Sequence, residues 1–330
     1  MSTKTNASFR SNNNFFEEEN QFLKDVLNGL TSKQKYLDSK YFYDVKGDAL
    51  FQKIMQSPEY YPTRCEMEIL THQSPHIAEA ITNLFDAFDV IELGAGDATK
   101  STHLLKALLQ KKIDFTYYPI DISKNVIELL EKEMPERLPG LKLTGLNGEY
   151  FQMLKNLRKQ SDKPKLVLFM GGNIGNVSID KAFEFCTVLK QHILPGDLVM
   201  IGFDLVKNPQ LILDAYNDKQ GYTRDFNLNL LQRINEELKG DFVLENFMHF
   251  PVYDPVTNAC KSYLVSLKEQ NVHIGNREIC FSKYETIFME IAQKYTTAQT
   301  DALATRTGFK PLAHFYDSKK WFLDALWMSE

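Results

Sequence analysis

The sequence predicts an α/β fold. A doubly wound, mostly parallel sheet is closed by a C-terminal antiparallel hairpin and joined to a smaller α+β lobe. Three observations carry this reading. Between residues 88 and 205, short apolar runs alternate with helical patterns, as βαβ units with right-handed crossovers require. After Lys207 that alternation stops. At the end of the chain, "FKPLAHFYDSKKWFLDALWM" reads as two alternating strands about a polar turn at Asp317 and Ser318.

Taken in order, residues 1–20 are rich in Asn and Ser and expected to fray. "NQFLKDVLNGLTS" places Phe22, Val26 and Leu30 on one helical face. "GDALFQKIMQSPEYYPT" holds a second helix that stops near Ser57 and Pro58, and "EMEILTHQSPHIAEAI" continues helically. "FDVIELG" is a short buried strand, followed by a helix over 98–111. "FTYYPIDIS" is a strand, and "KNVIELLEKEMPER" is a helix with Ser123 as its N-cap. "LKLTGLNGEY" contains a strand, "KLVLFMGG" is an apolar strand, "IDKAFEFCTVLKQHI" a helix and "DLVMIGFDL" another strand. Beyond Lys207, "PQLILDAYND" and "RDFNLNLLQRINEEL" read as helices. "FMHFPVYDPVTNACKSYLVSLK" reads as a hairpin about Asp254 and Pro255, and "SKYETIFMEIAQKY" as one long helix. Residues 1–62 and 206–283 are therefore assigned to a substrate-binding lobe, and residues 63–205 and 284–330 to the sheet domain.

Bulk properties narrow the function. A chain of 330 residues suggests two domains, or one with insertions. A net charge of −5 gives no basic face for nucleic acid. No apolar run approaches the ~20 residues that a membrane-spanning helix needs. The N-terminus lacks the apolar core of a signal peptide, so a cytoplasmic monomer is expected. The four cysteines, Cys65, Cys186, Cys260 and Cys280, lie far apart, and the seven histidines are scattered, so no metal is expected.

The chemistry concentrates in "VIELGAGDATKS", where a strand ends in Glu92 and turns through Gly94 and Gly96 into a helix. A dinucleotide fingerprint would place a third glycine where Thr99 stands. A P-loop lysine motif is missing as well. Acid-x-Gly-x-Gly suits S-adenosylmethionine instead, a nucleoside without phosphate whose approach the missing Cβ atoms permit. Asp121, ending the next strand, can accept from both ribose hydroxyls.

These features sit in longer stretches: "YFYDVKGDALFQKI", "PEYYPTRCEMEIL", "IELGAGDATKS", "YPIDIS", "MGGNIGN", "LPGDLVMIGFDLVK", "AYNDKQGYTRDFNLNLL" and the terminal "GFKPLAHFYDSKKWFLDALW". With them, from about Lys40 onward, the chain resembles the histidine-specific N-alpha-methyltransferases of ergothioneine synthesis. The resemblance implies a Rossmann-like class I methyltransferase sheet and N-methylation of the α-amino group of a free amino acid or related small amine. For S-adenosylmethionine it implies Gly94, Lys100 and Asp121, with Glu149 and Tyr150 beside adenine and Gly171 facing the methyl region. For the substrate's amine and carboxylate it implies Tyr60, Asn176 and Tyr216, with Tyr43 nearby as a proton relay to water. Asn and Tyr can each donate and accept, so they orient a zwitterion without strong charge.

Histidine-specific members carry an E-x-S-x-K-[YF] pattern just before the final long helix. Anchored on Lys283 and Tyr284, this chain has Ile279 and Phe281 at the two polar positions, with Glu278 one residue away. Tyr263 stands where a pocket methionine is usual, and Asn173 where "GGTIGN" has threonine. With Tyr263, Ile279 and Phe281 lining the pocket, an apolar or aromatic amine is expected to outcompete histidine. A dehydrogenase, a non-catalytic cofactor-binding descendant and a macromolecular methyltransferase are the rival readings. The missing third glycine, the intact cofactor motifs and the acidic balance respectively argue against them.

Overall fold

The computed structural model describes residues 21–330, so the fraying expected of residues 1–20 lies outside the described residues. The chain divides into two compact units. One is Tyr61–Lys207 with Ala292–Glu330, and the other runs up to Tyr60 and resumes over Asn208–Ile291.

The first unit is the α/β layer structure. Its strands are β1 (Ala87–Leu93), β2 (Asp114–Asp121), β3 (Lys142–Leu143), β4 (Leu146–Asn147), β5 (Lys165–Phe169) and β6 (Leu198–Asp204), followed at the chain's end by β12 (Phe309–Tyr316) and β13 (Phe322–Ser329). The order across the sheet is β12-β13-β6-β5-β1-β2-β3, with β4 also on β2. The pairs from β6 to β3 are parallel, whereas β13 runs antiparallel to both β6 and β12. Strands β5 and β6 are buried at every position, as a sheet covered on both faces requires. Helices α3 (Pro62–Thr82), α4 (Ser101–Gln110), α5 (Lys124–Arg137), α6 (Tyr150–Leu157), α7 (Ile179–His192) and α10 (Thr297–Arg306) complete the unit. Ser123 caps α5, its hydroxyl accepting from Val126 N.

In the second unit, a helix over residues 21–31, here α1, joins α2 (Val45–Gln56), α8 (Pro209–Ala215) and α9 (Tyr222–Leu238). Strands β7 (Phe247–Asp254) and β8 (Ala259–Ser266) form the expected hairpin, with β11 (Thr286–Gln293) on its other side. A smaller hairpin pairs β9 (Gln270–Ile274) with β10 (Arg277–Phe281). Phe22, Val26 and Leu30 are buried together with Phe42, Phe226, Phe242, Phe247 and Phe281.

One sequence expectation is corrected here. Residues 282–295 are not a long helix: β11 occupies most of that stretch. Thr286, Ile287, Phe288 and Ile291 favour the pleated conformation, and Ile287 and Met289 point inward at period two. A short apolar run satisfies both periodicities, and the open edge of β8 decides between them. The helix begins later, at α10, whose Thr296 and Gln299 form a capping box.

No helix among the described residues is long and apolar enough to cross a membrane.

Candidate active site

The carboxyl ends of β1, β2 and β5 converge on a glycine-lined cradle. Gly94 follows β1 with φ +71°, and its N–H donates to Ile120 O at 2.8 Å, tying the turn to β2. A Cβ on Gly94 would come within 2.7 Å of the Tyr150 hydroxyl. Gly171, after β5, has φ +83°, and its Cβ would meet Asn173 Nδ2 at 3.3 Å and Lys100 Nζ at 3.4 Å. Ala98 takes φ 52° without a glycine's freedom, so the turn into α4 holds local strain.

Asp121 ends β2 beside this turn. One carboxylate oxygen accepts from Gly96 N at 3.4 Å and the other from Ser123 N at 2.9 Å. Its backbone oxygen accepts from Gly148 N and from Asn147 Nδ2, both at 3.0 Å, which fixes the loop leading to Glu149 and Tyr150. Glu149 is exposed at the start of α6. Burial, then the charges of Asp121 and Glu149, push the Tyr150 phenol up to about 12, so it is a neutral hydrogen-bonding group. Lys100, on the opposite wall, pairs with Glu66. Burial works against the Lys100 ammonium, but the Glu66 carboxylate outweighs it and holds the pKa above its ordinary value.

Glu92, the acid that opened the motif, lies at the end of β1 beside β2. It is buried and accepts from the Tyr117 hydroxyl, and burial raises its pKa to about 7. It therefore braces β1 against β2.

A family model described as "Histidine-specific methyltransferase, SAM-dependent" matches residues 22–329. The chain belongs to that family. It is 31% identical over 289 residues to a histidine N-alpha-methyltransferase of Mycolicibacterium smegmatis, covering 87% of this chain and 88% of that one. It is 30% identical over 296 residues to the enzyme of the same name from Mycobacterium tuberculosis, covering 89% and 90%. A 4-dimethylallyltryptophan N-methyltransferase of Epichloe festucae var. lolii shares 30% identity over 200 residues, 58% of this chain and 57% of that one. The chain is thus a methyltransferase dependent on S-adenosylmethionine. The cradle fits that group: Cβ atoms at Gly94 and Gly171 would fill it, and an acid and an ammonium stand on its walls.

The residues assigned to substrate fall in different places. Tyr60 and Tyr216 meet edge-on, ring centroids 6.2 Å apart, and Phe51 packs edge-on against Tyr60 at 6.3 Å. Tyr43 is 44% exposed, edge-on to Phe51 and Phe226. Asn176 is exposed at the end of the 3-10 turn Asn173–Asn176 in the sheet unit. Tyr263 is half-buried against Phe288.

Ile279 and Phe281 require a correction. Both point from β10 into the apolar core, 3% and 1% exposed, and Phe281 packs on Phe242 and Phe247. They stabilise the fold rather than line a pocket. Glu278 is exposed and accepts from Asn271 Nδ2. The error was the anchor. Because β11 replaces the expected helix, the stretch preceding the last helix is Glu290-Ile-Ala292-Gln-Lys294-Tyr295. This matches E-x-S-x-K-[YF] with alanine in place of serine. Two acids that the sequence reading did not single out are Glu66 on α3 and Glu290 on β11. The repeated Lys-Tyr pair at 283–284 and 294–295 hid the second, while nothing in the local pattern of α3 marks Glu66.

Proposed function

We propose that this enzyme methylates the α-amino group of a free amino acid, and that histidine is its substrate. The observation that carries the reading is the placement of Glu290 on β11, immediately before the Lys294-Tyr295 pair and α10. A carboxylate there can accept from an imidazole N–H, which an apolar wall of Ile279 and Phe281 could not do. This reverses the preference expected from those two side chains. The names of the two mycobacterial relatives, which match over almost their whole length, support the same substrate.

When bound, S-adenosylmethionine supplies an activated methyl group on a sulfonium. The chain's task is to bind, align and keep the amine neutral. Asp121 would take the ribose hydroxyls, Glu149 and Tyr150 would hold adenine, and Gly94, Lys100 and Gly171 would hold the amino-acid and methyl region. The resemblance assigns Tyr60, Tyr216 and Asn176 to the substrate's amine and carboxylate. The substrate residues would hold the neutral amine toward that methyl group. Little net charge is created, so alignment supplies the acceleration, an effect worth ~7–11 kcal/mol in well-oriented systems. Burial and a neighbouring cation lower the amine's pKa, and its proton leaves to water by way of Tyr43.

The test is competition among equimolar amino acids, read by mass spectrometry of the methylated products. Histidine should dominate, and Glu290→Ala should lower its kcat/KM by about one to two decades, the scale of a buried group left without its partner. A clear win by an apolar or aromatic amino acid in the unmodified enzyme would refute histidine as substrate and leave the methyltransferase assignment standing.

A further inference from the structure

We infer that Glu66 is a positioning residue of the cofactor site, holding the Lys100 ammonium at Gly171 so that it receives the carboxylate of the cofactor's amino-acid end. The inference rests on the cofactor reading above. Glu66 lies on α3, outside the glycine motif, and is only 1% exposed. One carboxylate oxygen accepts from Gly171 N at 2.6 Å, and the other pairs with Lys100. A single acid thus joins the loop after β5 to the residue that opens α4.

Three features argue that this pair serves a ligand rather than only the core. First, the pair is one-sided. The Glu66 side chain is sealed at 1% exposure, whereas that of Lys100 is 26% exposed, so the acid lies inside and the lysine reaches the rim. A lysine has three N–H donors, and a carboxylate is the group that an ammonium beside a backbone cradle receives best. Second, the fold makes room for the acid. A Cβ on Gly202 of β6 would stand 2.5 Å from Glu66 Oε1, so glycine at this sheet position admits the carboxylate. Third, the neighbouring acid does not compete. Asp324 of β13 pairs in register with Gly202 and is fully buried, and neither of its carboxyl oxygens has a hydrogen-bond partner among the described residues. Burial, and then the Glu66 charge, push the Asp324 pKa well above its ordinary value. Glu66 is the carboxylate that pairs with Lys100, and an ammonium has two further N–H donors for an incoming one. Burying an ion pair is expensive, and an apolar pair of similar volume often serves stability as well. Positioning a cation at the rim of the cradle is what the apolar pair could not do.

Two ligands separate positioning from structure. S-adenosylhomocysteine carries the amino-acid end, whereas 5′-methylthioadenosine keeps the adenosine and thioether without it. By calorimetry, Glu66→Gln should weaken S-adenosylhomocysteine by at least about tenfold, the scale of one charge-assisted hydrogen bond. Affinity for 5′-methylthioadenosine should change by less than about twofold on the same scale. Asp121→Ala should weaken both ligands, which tests the cofactor reading separately. In a Lys100→Met background, Glu66→Gln should add no further loss, because the acid acts through the lysine. Equal loss of both ligands in a folded Glu66→Gln protein, unchanged S-adenosylhomocysteine affinity, or additive losses with Lys100→Met would each overturn the inference. Should Glu66→Gln fail to fold, Gly202→Ala displaces the same carboxylate and should give the same ligand-selective loss.

Discussion

The two units bury different things. In the sheet unit, Glu66, Asp89, Glu92, Lys165, Asp197, Asp204, Lys294, Asp317 and Asp324 are all withdrawn from solvent. In the other unit, Asp218 and His249 are the buried acidic and basic side chains among the described residues. Asp218 caps the start of α9, accepting from Tyr222 N and Thr223 N. Its hydrophobic cluster is aliphatic and aromatic, from Phe22 to Met289, and its other buried polar side chains, such as Asn227, Asn229 and Ser266, are uncharged. Its ion pairs, such as Lys40 with Asp25 and Arg233 with Glu237, lie nearer the surface and contribute little. A core of this kind needs only matching volume. Buried charge survives where it fixes geometry: in the sheet unit Glu66 holds the loop after β5 and Asp204 ends β6. His249 fits the contrast: burial lowers its pKa to about 4, so it is carried as a neutral ring.

The sharpest way to break this comparison is at Asp204. Its carboxylate takes Lys207, Lys294 at 2.7 Å and the Tyr61 hydroxyl at 2.9 Å and 3.0 Å. Burial opposes the Asp204 charge, but the two lysines outweigh it and hold the pKa below the ordinary value. Asp204→Ala removes the one carboxylate they share and should cost about 3–5 kcal/mol in urea unfolding. A loss under about 1 kcal/mol, the range of exposed pairs, would show that this cluster behaves like the surface pairs of the other unit.

Next is Glu92, whose pKa stands at about 7 against an ordinary 4.5 because it is buried. The fold favours the neutral acid. That contribution is complete below about pH 4.5 and is lost as pH rises through about 7. The loss amounts to roughly 3 kcal/mol from a shift of this size. Glu92→Gln keeps an acceptor for the Tyr117 hydroxyl and has no proton to lose. Its stability relative to the unmodified protein should therefore improve between pH 5 and pH 8, measured by denaturant titration at each pH. A constant difference across that range would assign Glu92 a charged role.

The smallest effect sharpens the comparison from the other side. Ile279→Val should cost about 0.5–1.5 kcal/mol, as for a methylene lost from a packed core. It should leave the ranking of amino-acid substrates unchanged in the competition assay. A changed ranking would return Ile279 to the substrate pocket.

Much of this protein is legible in one dimension. Strong apolar runs gave β1, β2, β5, β6 and the terminal hairpin their places, because alternation with helices leaves few ways to cover a parallel sheet. Gly94, Gly96 and Asp121 announced the cofactor because glycine freedom and an acid at a strand end are properties of single residues. Other features depended on what lies across space. Whether Thr286–Gln293 became strand or helix was settled by the edge of β8, and with it the placement of Glu290, since a short apolar run carries no unique period. That Ile279 and Phe281 pack into a core and that Glu92 turns inward followed from their neighbours. Glu66 is a further case, joined to partners 34 and 105 residues away. Local sequence determines which conformations a segment can take, and burial against distant segments determines which charges are worth keeping.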